Sequence, residues 1–510
     1  MDSCKFDLDN IQGDIWPGLS KRYQEFFFFS IDNPTAFKPV LKTLANEVIT
    51  SSKGALKNRA AIYKVKAPKS SGLDIAGLVN LAGDILKDIH DLLPEHGHDI
   101  PRAKGSNDAS IVGVNMSFTV RGMQKLDKRK FSKDPSNDER YDDPFLKGMF
   151  ADMVGEGRDE ANDWNPEFQD GSVDGVVLVC GTKCEVQAKT KELAEKYFCP
   201  SHGVRHLLTL NGNERPGKQR GHEHFGFLDG VSQPLIIGLD DETAKKPGAI
   251  KQLTRPGIIL FGHDGEMGDE EKSRHPAWAK DGSLLVVRKI KQFVPEWDSF
   301  VVKKAEELGF TPGQFGARLV GRWQSGAPVQ RNPIHDKPEE ATWNEFDYLR
   351  NDHTNCPFAS HMRKAKPRID NDNRDNNDIM RRSIPYGPEL RDDERDEGKT
   401  KLDRGLMFLC YQTSLQNGFQ FIRNRWINAD NFPLNKRKFT GGKNPGQDPV
   451  VGQLVKHPIE DDDKVLQMAL VDGHEQHKQI SFTPFIESNG GDYFFTPSLK
   501  LLRELAVAPA

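Results

Sequence analysis

Short apolar runs bounded by polar and turn-forming residues recur along the whole chain, at 25–32, 110–120, 173–181, 225–229, 257–262, 283–289, 405–412 and 492–496. Their length and their β-branched and aromatic content predict strands. Among the stretches between them, 76–93 places Leu78, Ala82, Leu86 and Ile89 at helical spacing and predicts an amphipathic helix. The pattern is mixed α and β. A strand-type run followed closely by a helical one occurs at 114–126 and recurs at 405–419, which predicts a duplication. The expected architecture is two similar α+β domains, 1–234 and 235–510, divided after the turn-rich segment 230–234. Two polar segments, 127–143 and 369–404, predict long surface loops. The second carries an apolar-basic island, Ile379-Met380-Arg381-Arg382-Ser383-Ile384, which a purely solvated loop does not need.

Charge narrows the function classes. The 510 residues hold 71 Lys plus Arg against 75 Asp plus Glu, a net charge of −4, which excludes nucleic-acid binding through bulk positive charge. The densest apolar runs, 26–29 and 176–180, fall far short of the roughly 20 residues of a membrane span. The first residues, Met1-Asp2-Ser3-Cys4-Lys5-Phe6-Asp7, lack the apolar core of a signal peptide. That favours the cytoplasm, with secretion under a leader outside this sequence as the alternative. Six cysteines are scattered without zinc-type pairing and are too sparse for a disulfide scaffold, so free thiols are expected, with one or two disulfides as the alternative.

The pattern Gly-x-x-Asp-Gly occurs at Asp174 and at Asp229. Asp174 leads straight into an apolar strand, as a structural turn would. Asp229 instead ends the aromatic run His222-Glu223-His224-Phe225-Gly226-Phe227-Leu228 and lies between turn-formers, where a carboxylate can face a site. A second segment, 356–368, places His361 after small and apolar residues and before a basic run, and Arg381 follows twenty residues later in the apolar-basic island. An imidazole, a carboxylate and a guanidinium are the groups needed to hold haem iron and to split a peroxide. A non-haem metal site built on His222 and His224, or on His96 and His98, is the rival, although it lacks further ligands.

With these residues in place the chain resembles the dye-decolourising peroxidases, in particular the long fungal type. The resemblance runs from 10–15 to 491–497 through five ordered blocks: 222–229, 316–323, 356–368, 379–389 and 447–452. It implies two ferredoxin-like α+β domains with one haem b in the C-terminal one. It also implies reduction of H2O2 through an oxyferryl intermediate and oxidation of dyes, phenols and other aromatic reductants. Matched position by position, Asp229 is the acid-base residue, His361 the proximal iron ligand and Arg381 the charge that stabilises the breaking O–O bond. Asp448 accepts a hydrogen bond from His361, and Arg322 meets a haem propionate. Arg363, Leu406 and Phe408 complete the cofactor contacts, the last two alternating along a strand. Trp426 and Tyr386 are candidate surface oxidation sites for bulky dyes, with simple packing as the alternative. The chain departs from the usual pattern at Ser360, Met362 and Ser383, none of which removes a functional group. An ordinary Asp titrates near 3.9 and an ordinary His near 6.5, so an Asp base predicts an acidic optimum. A haem-storage or haem-trafficking protein on the same fold is the non-enzymatic alternative.

Overall fold

The computed structural model describes residues 6–66, 111–131, 143–154, 164–266, 276–371, 376–453 and 465–508. The helix expected at 76–93, His96, His98 and Cys4 lie outside them. The framework is an antiparallel nine-stranded sheet among the described residues. It contains β1 (Tyr23–Ile31), β2 (Gly113–Phe118), β3 (Gly175–Gly181), β4 (Val204–Asn213), β5 (Ser283–Gln292), β6 (Met380–Arg381), β7 (Ile384–Tyr386), β8 (Gly405–Gln412) and β11 (Ile486–Thr496). A separate hairpin is formed by β9 (Leu466–Val471) and β10 (His477–Phe482).

β1 shows why such strands form. All nine of its residues are buried, because both faces are covered. Phe27 and Phe29 pack on Phe198 on one side, and Phe28 packs on Phe168 and Phe494 on the other. A half-solvated strand would alternate with polar residues; this one carries an unbroken apolar run at 26–29.

The neighbour order along the sheet is β4-β1-β3-β2-β11-β5-β8-β6, with β7 also on β8. Read within each half, it repeats as fourth, first, third, second: β4-β1-β3-β2 and then β11-β5-β8-β6/β7. The same antiparallel ferredoxin-like order twice in one chain is the duplication expected from the pattern. The halves join where Phe118 of β2 meets Phe495 of β11. At the far ends Gly212 of β4 lies against Ile384 and the Pro385 carbonyl of β7; a Cβ there would stand 2.3 Å from Ile384 Cγ2, so only glycine permits this approach.

Several expectations need correction. The two segments that suggested duplication are not equivalents: 114–126 holds the second strand of its half, and 405–412 the third. Residues 225–229 form turns, and 257–262 begin with the 3-10 segment Pro256–Ile258. β4, β9 and β10 carried no clear pattern, β4 because its residues alternate poorly between buried and exposed. Asn115, in an Asn-Met-Ser sequon, is fully buried and holds the Thr50 and Val114 carbonyls, so it is closed to glycosylation. The five described cysteines are free thiols. No described helix is long and apolar enough to cross a membrane. The last helix, Leu499–Val507, packs back on the helix Pro34–Thr43 of the first half.

Candidate active site

A cavity of about 270 Å³ lies against β5 and β8, and Asp229, His361 and Arg381 all line it. The Asp229 loop is built from within. The Glu223 carboxylate accepts the amides of Phe225 (2.8 Å) and Phe227 (2.9 Å), and Gln292 Nε2 donates to it from β5. Phe225 stacks on Trp297 at 4.8 Å and Phe227 meets the same ring edge-on, anchoring the loop to the helix Val294–Leu308. Gly230 takes φ +75°, a conformation that glycine adopts without strain, and its amide donates to Asp229 Oδ1 at 2.6 Å. Among the described residues no cation pairs with the Asp229 carboxylate.

Arg381 is fixed to the same loop. Its backbone amide donates to Gln233 Oε1 at 3.1 Å, and Gln233 Nε2 donates back to its carbonyl at 3.2 Å. Its guanidinium donates to the Ser232 carbonyl at 3.2 Å and has no carboxylate partner among the described residues. The positive charge is therefore left to the cavity. The apolar-basic island exists because Met380 and Arg381 pair with Tyr411 and Cys410 of β8 while the Arg381 side chain lines the cavity.

His361 opens the helix His361–Ala365, and its Nδ1 donates to Asp448 Oδ2 at 2.8 Å. Asp448 is fully buried, and its other oxygen accepts the amides of Val450 (2.8 Å) and Val451 (3.0 Å). Burial disfavours the imidazolium, but the Asp448 carboxylate outweighs it and holds the histidine above its ordinary range. With Nδ1 occupied, Nε2 is the nitrogen left for a ligand, and the exposed quarter of the side chain opens on the cavity.

The remaining expected residues divide. Leu406 and Phe408 alternate along β8 and line the cavity, as do Met362 and Ser383. Ser360 does not; its hydroxyl donates to the Arg318 carbonyl. Arg322 lines the cavity with its guanidinium already bonded to the Gly326 and Trp343 carbonyls and to Asn344 Oδ1. Burial, with Arg368 beside it, lowers it to about 9. Arg363 is a correction: it is fully buried away from the cavity, paired with Asp370 at 2.6 Å and donating to the Leu349, Asp352 and Cys356 carbonyls. Its role is to tie the loop before His361. Arg363→Met is expected to cost about 3 kcal/mol of stability, read by urea unfolding, because it strips three carbonyls of their donor and leaves the buried Asp370 carboxylate with Lys436 as its remaining cation.

Trp426 and Tyr386 are not surface residues. Trp426 is 4% exposed, stacked on Phe432 and edge-on to Phe421. Tyr386 is 6% exposed and donates to Asp403 at 2.8 Å. The His222/His224 metal reading also fails, since among the described residues no three His, Cys, Asp or Glu side chains come together to hold a metal ion. Arg288, Arg423 and Lys366 line the cavity and were not anticipated. Arg288 had a signal, as the charge that directly ends the apolar run 284–287 of β5.

The comparisons decide the family. A family model described as the DyP dimeric alpha+beta barrel domain matches 10–83 and 86–216, and one described as Dyp-type peroxidase, C-terminal, matches 262–440. A dye-decolorizing peroxidase of Mycena epipterygia is 33% identical over 98% of this chain and 87% of its own. The chain belongs to the dye-decolorizing peroxidases. An ancestral D-type dye-decolorizing peroxidase matches 99% of the chain and 100% of its own with TM-score 0.78 and 35% identity. A variant of the Pleurotus ostreatus enzyme, at 32% identity, covers the same shares with TM-score 0.79. The family consists of haem-dependent oxidoreductases acting on H2O2. The cavity fits a haem: an apolar wall of Leu406, Phe408, Ile422 and Val450 suits the macrocycle, basic Arg288 and Arg423 suit its carboxylates, and the imidazole has one nitrogen open.

Proposed function

We propose that this dye-decolorizing peroxidase binds one haem b per chain through His361 and reduces H2O2, with Asp229 as the acid-base group and Arg381 as the stabilising charge. Dyes, phenols and other aromatic reductants supply the electrons, and the optimum is acidic. The observation that carries the reading is the convergence of Asp229, Arg381 and the His361–Asp448 pair on one cavity. Haem, when bound, supplies the iron and the two-electron redox chemistry. The protein's part is positional and electrostatic. Asp448 fixes the tautomer and orientation of His361 and increases its donor strength. The Asp229 carboxylate takes a proton from one peroxide oxygen and returns it to the other as the O–O bond breaks. Arg381 faces the negative charge that develops on the departing oxygen. An aspartate base keeps its carboxylate form at lower pH than a histidine would, hence the acidic optimum. A related dye-decolorizing peroxidase, 32% identical, has been solved in complex with 2,6-dimethoxyphenol, which supports the phenol class. We also divide the chain near 234, with the haem cavity built from 223–234 and the C-terminal half.

The test is reconstitution with haem b, followed by peroxide-dependent oxidation of a bulky dye and of 2,6-dimethoxyphenol across pH 3–8. Turnover that rises toward acid is expected. Haem binding without turnover would overturn the enzyme reading in favour of a haem carrier. Arg381→Gln is expected to slow the peroxide step by about 10²-fold, read by stopped flow, with haem affinity changed little.

A further inference from the structure

Three buried tyrosines donate to aspartates: Tyr386 to Asp403, Tyr411 to Asp14 and Tyr493 to Asp152. Strand register separates them. Arg288 of β5 lies opposite Phe408 of β8, and Val286, two residues along the same strand, lies opposite Tyr493 of β11. Side chains two apart share a face, so Tyr493 stands on the cavity face of the sheet. Tyr411, three residues on from Phe408, falls on the other face. Tyr386 does not line the cavity, and its aspartate is half exposed and paired with Lys289.

Tyr493 is 1% exposed, and its ring meets Phe419 edge-on at 6.3 Å. Phe419 lines the cavity and lies 6.0 Å from Phe408. On its other side the phenol donates at 2.7 Å to Asp152 Oδ2, which is 2% exposed and also accepts from Gln420 Nε2. The segment Met149–Met153 that carries Asp152 is fastened beside Tyr493, since the Met149 amide and the Tyr493 amide both donate to Asp492 Oδ1. Burial, and then Asp152, push the phenol well above its ordinary range, so it keeps its proton at every working pH.

We propose that Tyr493 is a redox-active residue that takes up one oxidising equivalent from the cavity, with Asp152 as its proton acceptor; this rests on the peroxidase reading above. A buried phenol that loses an electron cannot hold its proton in a low-dielectric site, and Asp152 Oδ2 already stands within hydrogen-bond distance to receive it. The step balances within the site. One electron leaves the Tyr493 ring past Phe419 and fills one of the two oxidising equivalents that H2O2 delivers at the cavity. The O–H bond breaks and its proton passes to Asp152 Oδ2, leaving a neutral phenoxyl. Reduction by an electron from an aromatic substrate returns the proton along the same 2.7 Å bond. At 1% exposure Tyr493 holds the equivalent inside the protein and does not touch a bulky dye.

The test is freeze-quench EPR of the holoenzyme after one equivalent of H2O2, with and without ring-deuterated tyrosine. A tyrosyl signal is expected that narrows on deuteration, survives in Tyr386→Phe and falls at least tenfold in Tyr493→Phe. Asp152→Asn, which keeps the ring and removes the acceptor, is expected to lower it to a similar extent. A tyrosyl signal unchanged in both Tyr493→Phe and Asp152→Asn, or none in the wild type, would overturn the proposal. The Soret response of the same samples reports the peroxide step separately: no response in the wild type would sink the peroxidase reading itself, and this proposal with it.

Discussion

Replacing Asp229 with Asn slows the reaction of the haem-loaded enzyme with H2O2 by about 10²–10⁴-fold, the range that a positioned acid-base group supplies. The substitution keeps the shape of the side chain and an oxygen that can accept from the Gly230 amide, so the loop stays as Glu223, Gln292 and Trp297 hold it. Arg381 retains its contacts to Ser232 and Gln233, and His361 its contact to Asp448. What disappears is the one group that takes the proton. The haem spectrum and affinity should therefore stay near wild type while the stopped-flow rate of Soret change collapses. A rate within threefold of wild type would move the proton role elsewhere. Two other carboxylates line the cavity: Asp378, which is paired with Lys366, and Glu223, whose pKa is raised by burial and which is already bonded to two amides and Gln292. Glu223→Gln, at the one of these two with no cation partner among the described residues, would then carry the loss. In the wild type the same rate should persist well below pH 6.5, where a histidine base would be silenced.

The site was legible where chemistry and spacing met, and illegible where direction mattered. Asp229, His361 and Arg381 stand out because each is an unusual group for its local setting. Arg363 was misplaced because sequence adjacency to His361 says nothing about the face it occupies. Two residues along a helix turn the side chain by about 200°, so in His361–Ala365 the imidazole lines the cavity while the guanidinium runs into the loop behind it. The alternation of Phe225 and Phe227 imitated a strand for a different reason: both rings pack on Trp297 from a turn. Trp426 and Tyr386 had the right residue type for oxidation at a surface, but exposure is set by packing that residue type does not report: Phe432, six residues on, stacks on Trp426, and the start of β8 pairs with Tyr386. Tyr493 was missed because its significance depends on Asp152, which lies 341 residues away.

Between pH 6.5 and 4 the fold is expected to lose about 3 kcal/mol at each of two histidines whose rings the folded state keeps neutral down to about pH 4. His224 is 4% exposed against the Tyr386 carbonyl, and burial, with Arg215 beside it, lowers it to about 4. His353 is 2% exposed; burial, then His477 with its ring nitrogen 3.4 Å away, also lowers it to about 4. In both cases the folded state prefers the neutral ring. Above pH 6.5 neither form is charged and nothing is lost. As the pH falls, the unfolded chain binds its protons first, and the stability difference grows until the folded rings titrate near 4. Asp492 works in the opposite sense, since burial raises it to about 6 and the folded state takes up its proton before the unfolded chain does. The histidine contribution is therefore best read as a difference between variants. Urea unfolding of the holoenzyme at pH 7.5, 5.5 and 4.5 should show His353→Phe and His224→Gln each flattening the acid loss by about 3 kcal/mol, while Asp492→Asn steepens it. The consequence for function is that an Asp229 base favours turnover in acid while the scaffold weakens there. The acid limb of the activity profile then belongs to unfolding, and His353→Phe should move it to lower pH. If that variant flattens the stability curve and the limb stays where it was, the limb belongs to the titration of the cavity itself, and the base would be losing its carboxylate form before the fold gives way.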